Sequence, residues 1–315
     1  MIRNLFGKAK AWFSLRRNVP DKFWFRKIRF LGLDQPGLTF RGSGDSLYVS
    51  ELDMNVPSKE FSFLLEGFSY LKKILASPEN QFRFTEDKFI LDLNGIKVRI
   101  ASKQDLLIAH EVFVEKIYNS YFHDDTVVFD IGMNAGYSAL FFASRPGVAK
   151  VVGFEPLEPT FIRAKENLEL NPDLKNKIIA NKHGLGKREE KKVVLYNPLT
   201  SGNTSLKFDN YKGVKDLPGT YSIEVEIKSA DRIFKKILTE YEGQKKLLKI
   251  DCEGCEYEIL EMLAEAGLLG QFETIICEWH LDGPDSITLL LEKEGFHHFC
   301  IGNHMQTGMI YAKRG

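Results

Sequence analysis

The sequence predicts an α/β fold: a doubly wound, Rossmann-like parallel sheet that ends in an antiparallel hairpin and carries an N-terminal α+β extension. Three observations predict it. After residue 124 short apolar runs alternate with helical stretches, and a glycine-bearing turn, Asp130-Ile131-Gly132-Met133-Asn134-Ala135-Gly136, joins the first run to a helix. The last two runs, HHFCI and MIYAK, have no room for a helix between them. Continuous apolar strands separated by helices belong to parallel sheets covered on both faces, whereas strands joined by a short loop must be antiparallel neighbours.

The elements follow in order. Residues 1–33 hold nine Lys or Arg against one acid, Asp21, so this segment is +8 and the rest of the chain −8. Aromatics such as Trp12, Phe13, Trp24 and Phe30 interleave the charges. That composition suits a helical arm packed on its own protein first, and as the alternative a segment docked on an anionic membrane surface or a protein partner. From Lys59 to Ala76 apolar residues recur every three or four positions, which predicts one amphipathic helix. FRFTEDKFILDL and IKVRI around Asn94-Gly95 read as two strands of a hairpin, and a helix is expected over about Gln104 to Asn119. The boundary between extension and sheet domain is placed at residues 122 and 123. Then come TVVFDI, a helix from Tyr137, VVGF, a helix through FIRAKENLEL, KIIAN, KKVVLY, SIEVEIKS, LLKID, a helix from Tyr257, TIICEW and a helix from Ser286.

The composition narrows the function. With 315 residues, 43% hydrophobic and 27% charged, the chain is of globular type, and its 43 basic and 43 acidic residues leave no whole-chain field of the kind nucleic-acid binders show. No nucleic-acid partner is expected. No apolar stretch reaches the length of a bilayer span, and four cysteines are too few for a disulfide scaffold. A cytoplasmic protein is expected, with residues 1–33 as the means of any peripheral hold on the inner membrane surface.

The chemistry gathers at strand ends. Gly132 and Gly136 let the backbone turn and approach a ligand at a helix start. The nicotinamide fingerprint needs glycine where Asn134 stands, and Asp130 would repel a pyrophosphate, so a cationic ligand bearing an amine and a sulfonium, S-adenosylmethionine, fits better. Glu155, 19 residues after Gly136, ends the second strand where an acid receives ribose hydroxyls. Asp251 and Glu253 follow LLKID and should face the same crevice as Asp130. TIICEWH brings Glu278 and His280 to that edge, and His280 is the natural proton acceptor for a hydroxyl. Cys252 and Cys255 read as small apolar fillers. No spacing joins His297, His298 and His304 with His280 into a metal site, and no metal is expected. The loop Asn197 to Leu206 reads as a cofactor or substrate cover, or as an ordinary polar turn.

At these residues the sequence resembles the FkbM family of S-adenosylmethionine-dependent methyltransferases. The resemblance spans about residues 125 to 301 and rests on VVFDIGMNAGYS, GFEPLEPTF, NLELN, KIDCEGCE and CEWH in that order. It implies a class I methyltransferase sheet, with Asp130, Gly132 and Gly136 in the cofactor loop, Glu155 at the ribose, and Asp251, Glu253 and His280 on the acceptor side. Met133 and Ala135 in the loop, and the two cysteines after Asp251, depart mildly from the family's pattern. The expected reaction is methylation of a hydroxyl on a small molecule, such as a sugar or secondary metabolite, or on a glycan. Amine and carboxyl acceptors stay open. The rivals are a nicotinamide-dependent oxidoreductase and an inactive binding scaffold of the same fold. The oligomeric state is not legible in the sequence.

Overall fold

The structure, a computed structural model, describes residues 12–35, 38–199, 215–304 and 306–315. The chain divides into two compact units, Met1–Asn94 with Arg99–Glu115, and Gly95–Val98 with Lys116–Gly315.

In the first unit helix α1 (Lys22–Phe30) starts at Asp21, whose side chain accepts from the amides of Phe23 and Trp24, and it turns Trp24 and Ile28 inward. Phe13 and Phe30 stay exposed. A meander of β1 (Phe40–Ser43), β2 (Ser46–Val49) and β3 (Met54–Val56) follows. The single helix expected over 59–76 is instead three pieces: a 3₁₀ turn (Lys59–Ser62), α2 (Phe63–Glu66) and α3 (Phe68–Ile74). The break at Gly67 has a packing reason. A Cβ there would come within 2.5 Å of Leu106 Cδ1 on α4 (Lys103–Ala109), so the missing side chain is what admits Leu106. The expected two-strand hairpin is a three-strand meander, β4 (Asn80–Thr85), β5 (Lys88–Leu93) and β6 (Ile96–Ile100). Glu86 and Asp87 form a second tight turn, with positive φ at both residues as Asn94 and Gly95 have.

The second unit is built on a seven-stranded sheet in the order β15-β16-β14-β13-β7-β8-β9. Its strands are β7 (Thr126–Ile131), β8 (Val148–Phe154), β9 (Ile178–Asn181), β13 (Lys246–Ile250), β14 (Thr274–His280), β15 (Phe296–His304) and β16 (Thr307–Arg314). The β7, β8, β9, β13 and β14 ladders are parallel, and β16 is inserted antiparallel between β14 and β15. This is the doubly wound, Rossmann-like arrangement with a closing antiparallel hairpin expected from the sequence. Helices α5 (Tyr137–Ala143), α6 (Glu158–Glu169), α7 (Pro172–Lys175), α8 (Ala230–Glu240), α9 (Glu256–Glu265) and α10 (Asp285–Lys293) connect or flank the strands. Every residue of β7 and β13 is buried, as strands covered on both faces must be. Phe129 of β7 packs with its ring centroid 5.4 Å from Phe234 of α8 and 5.8 Å from Phe272.

KKVVLY and SIEVEIKS do not join this sheet. They are β11 (Glu190–Tyr196) and β12 (Tyr221–Ser229), an antiparallel pair that forms a separate three-stranded sheet with β10 (Gly184–Gly186). The reason lies in their alternation: side chains along both strands alternate between more buried and more exposed, with Glu224, Glu226 and Lys228 at every second position of β12, which leaves one apolar face that a strand buried on both sides cannot use. Among the described residues no helix is long and apolar enough to cross a membrane.

Candidate active site

The chain runs from β7 to β8 and β9 on one side, then returns to β13 on the other, so β7 and β13 flank the switch point where open α/β sheets bind ligands. All the sequence-derived site residues lie at or beyond the carboxyl ends of β7, β8, β13 and β14.

The loop after β7 is held in an unusual course. Gly132, Asn134 and Gly136 have φ of 79°, 51° and 83°. Gly132 is also a steric necessity, because a Cβ on it would stand 1.7 Å from the carbonyl oxygen of Asp251. The amides of Gly132 and Met133 both donate to the Phe154 carbonyl at the end of β8. Asn134 tolerates its left-handed backbone because its side-chain oxygen accepts from the Ala135 amide at 2.6 Å. Asn167 of α6, buried, donates to the Ala135 carbonyl at 2.8 Å. Sequence reasoning missed Asn167, although it opens the NLELN motif.

Glu155 closes this loop from below. Its carboxylate accepts from Asn134 N at 3.0 Å and Leu157 N at 2.8 Å, and it is buried. Burial pushes its carboxyl up to about 7, against the opposite pull of those two amides.

Asp130 is not the open acid expected from the sequence. It is fully buried; Ser138 Oγ donates to its Oδ2 at 2.6 Å, and Lys249 Nζ stands 3.0 Å from its Oδ1. The strand register pairs Lys249 with Asp130, so the ion pair is written into the alignment of β13 on β7. Lys249 also donates to the Gly132 carbonyl at 2.7 Å and lies 3.6 Å from Asp251. Burial pulls the ammonium's pKa down, but Asp130 and Asp251 outweigh it and hold Lys249 above its ordinary value. Lys249 was missed too. Its signal was a lone lysine inside the apolar run LLKID.

On the other side of the switch point stand Asp251, Glu253, Glu256 and His280. Tyr118, buried, donates its hydroxyl to Asp251 Oδ2 at 2.9 Å. Glu256, fully buried at the start of α9, accepts from the His280 amide at 2.8 Å and from Gly254 N at 2.8 Å, and its Oε1 lies 3.1 Å from His280 Nδ1. His280 Nε2 faces Glu253 Oε2 and Glu278 Oε1, each at 3.8 Å. Burial alone would lower the imidazole, yet the Glu256 bond and the charges of Glu253 and Asp251 outweigh it and raise His280 to about 10. That shift favours the protonated ring at neutral pH and bears directly on the role of proton acceptor expected for His280. One donor atom each from Asp251, Glu253 and His280 lies within 4.8 Å of the others, a spacing that can hold a metal ion.

The remaining candidates stay apart from this cluster. His298 lies 3.7 Å from Glu292 at the end of α10. Asn197 is buried and ties its own loop, bonding Thr220 at 2.9 Å, while residues 200–206 of the expected cover lie outside the described residues. Cys255 fills the core and Cys252 packs against it, both as free thiols.

A sequence profile described as the methyltransferase FkbM domain matches residues 130–298. The AMB antimetabolite synthetase AmbE of Pseudomonas aeruginosa is 26% identical over 225 residues, which are 60% of this chain but only 10% of that protein. Methyltransferase sdnD of Sordaria araneosa is 24% identical over 210 residues, 60% of this chain and 81% of the relative. Among solved structures, the methyltransferase FkbM from Methylobacillus flagellatus KT aligns with a TM-score of 0.41 at 12% identity, covering 67% of this chain and 54% of that one.

Proposed function

The chain belongs to the methyltransferase FkbM domain family, with S-adenosylmethionine as its cofactor, and we propose that it methylates a hydroxyl of a small molecule such as a sugar or secondary metabolite, or of a glycan. The observation that carries this reading is the division of one sheet edge into two chemically distinct halves. Glu155 and the Gly132–Gly136 loop stand on one side of the switch point, and Asp251, Glu253, Glu278 and His280 on the other.

On the first half, Glu155 receives the ribose hydroxyls and the glycine turn lets the backbone lie against the cofactor. Asp130, neutralised by Lys249, shapes this loop through Ser138 and the Gly132 carbonyl. On the second half, the acceptor oxygen attacks the methyl carbon in line with sulfur. The new O–C bond takes its electrons from oxygen, the C–S pair stays on sulfur as a neutral thioether, and the hydroxyl proton leaves to a carboxylate. Asp251, Glu253 and Glu278 supply that acceptor in place of His280, whose protonated ring instead orients them. Holding the three atoms in line removes much of the entropic barrier.

The test is transfer of a radiolabelled methyl from S-adenosylmethionine to a panel of polyols, sugars, amines and carboxylates, followed by base treatment of the product. An alkali-stable ether is expected. Products confined to amines or to alkali-labile esters would overturn the hydroxyl reading. The oxidoreductase and scaffold readings are not favoured beside the family match.

A further inference from the structure

We infer that Asp251, Glu253 and His280 form a divalent-cation site, of the kind filled by Mn²⁺, beyond the carboxyl ends of β13 and β14. Two carboxylates and one imidazole offer three donor atoms within 4.8 Å of one another. Donors about 2.1 Å from a common ion stand about 3 Å apart when adjacent and about 4.2 Å when opposite. The 3.8 Å between His280 Nε2 and Glu253 Oε2 falls inside that span and is too long for a hydrogen bond between them.

The surroundings of the imidazole point independently to a ligand. A metal-bound histidine typically gives its other ring nitrogen to a carboxylate, which sets the tautomer and the direction of the ring. His280 Nδ1 meets Glu256 at 3.1 Å, and Glu256 is pinned by the amides of His280 and Gly254. His280 is only 3% exposed, and its Nε2 points between Glu253 and Glu278, 3.8 Å from a carboxylate oxygen of each, a distance of charge attraction and not of a hydrogen bond. Asp251 is oriented in the same manner by the Tyr118 hydroxyl. Charge argues the same way. Asp251, Glu253, Glu256 and Glu278 surround one imidazole, while Lys249 is shared with Asp130.

Three protein donors leave coordination positions for outside oxygens, as catalytic metal sites do. The mixed oxygen and nitrogen set suits Mn²⁺ and its first-row neighbours. The cation deepens the hydroxyl reading and rests on it for its purpose: an acceptor oxygen bound there loses its proton more readily, with Glu278 as the carboxylate left to receive it. With a cation present His280 is a ligand through Nε2, while Nδ1 stays with Glu256.

The site is tested with Mn²⁺ alone, titrated into the full chain without acceptor and followed by the electron paramagnetic resonance signal of the free ion. One bound Mn²⁺ per chain is expected. Asp251→Asn and His280→Gln should each weaken binding at least 10-fold, and Glu256→Gln, which touches no cation, by 10- to 100-fold through loss of ring orientation. His298→Gln should bind as wild type. Glu253→Gln serves if either ligand variant melts before titration. Absence of uptake at millimolar Mn²⁺, or equal uptake by wild type and the ligand variants, overturns the site. A chain that binds Mn²⁺ here yet methylates only amines overturns the hydroxyl reading and leaves the cation site standing. Hydroxyl methylation undiminished by chelator, with no Mn²⁺ uptake, overturns the site alone.

Discussion

Glu155 carries two demands at once under the proposed function, since it braces the loop through Asn134 and Leu157 and would also receive the ribose hydroxyls. Its carboxyl is raised by burial to about 7, so near neutrality it is partly protonated. Ionised carboxylates are the stronger acceptors, so the affinity for S-adenosylhomocysteine is expected to rise between pH 6 and pH 8 in calorimetric titrations. Glu155→Gln should lower that affinity by roughly 10- to 100-fold, the size of one charged hydrogen bond, and flatten its pH dependence. Stability runs the other way. A carboxyl raised on folding binds its proton more tightly folded than unfolded, so Glu155's contribution falls as pH rises from 4.5 through about 7. Lys249 poses a separate test. Lys249→Met leaves Asp130 buried without its partner, which should cost about 3–5 kcal/mol in urea unfolding. Asp130→Asn added to Lys249→Met should recover part of that loss, because the uncompensated charge is gone.

At the scale of elements, the β7–α5 turn differs from an ordinary glycine turn in what each glycine does. Gly136 needs only its φ of 83°, and a Cβ there would meet Ala164 at an ordinary 3.5 Å. Gly132 needs both its φ and its bareness, because Asp251 O occupies the place of a side chain. Gly136→Ala is therefore expected to cost about 1–2 kcal/mol, the left-handed penalty. Gly132→Ala should cost more, since the end of β13 must move, and it should lower cofactor affinity and melting temperature together. Calorimetry and thermal unfolding of the two variants side by side check the order. Equal losses would mean that the loop yields without disturbing Asp251.

At the scale of the whole molecule, the cofactor half and the acidic half of the site belong to one of the two compact units. A ligand that binds only the folded state stabilises by RT ln(1 + [L]/Kd), about 2.7 kcal/mol at a hundredfold excess over Kd. Hydrogen exchange with S-adenosylhomocysteine is expected to protect amides at 132–136 and 155–157 in the second unit. The meander β1 to β3 of the first unit should exchange as before. Protection confined to the first unit would remove the cofactor assignment from the Gly132–Gly136 loop.

The sequence by itself determined the alternation of strands and helices, the closing antiparallel hairpin, the glycine turn and the acids that end the strands. Each of these is written in local periodicity or in a residue type with one conformational use, as with Gly136 and its positive φ. Tertiary structure alone decided the rest. That KKVVLY and SIEVEIKS pair with each other depended on where a two-faced apolar environment was available, which no local pattern states. The same holds for the acids. Asp130 and Glu155 look alike at strand ends, yet the register of β13 on β7 sets Lys249 beside Asp130, while Glu155 takes backbone amides. His280 reads from the sequence as a base near neutral pKa. Glu256, 24 residues earlier, with Glu253 and Asp251, raises its affinity for a proton, because the charge on a buried group is set by neighbours that only the fold brings close.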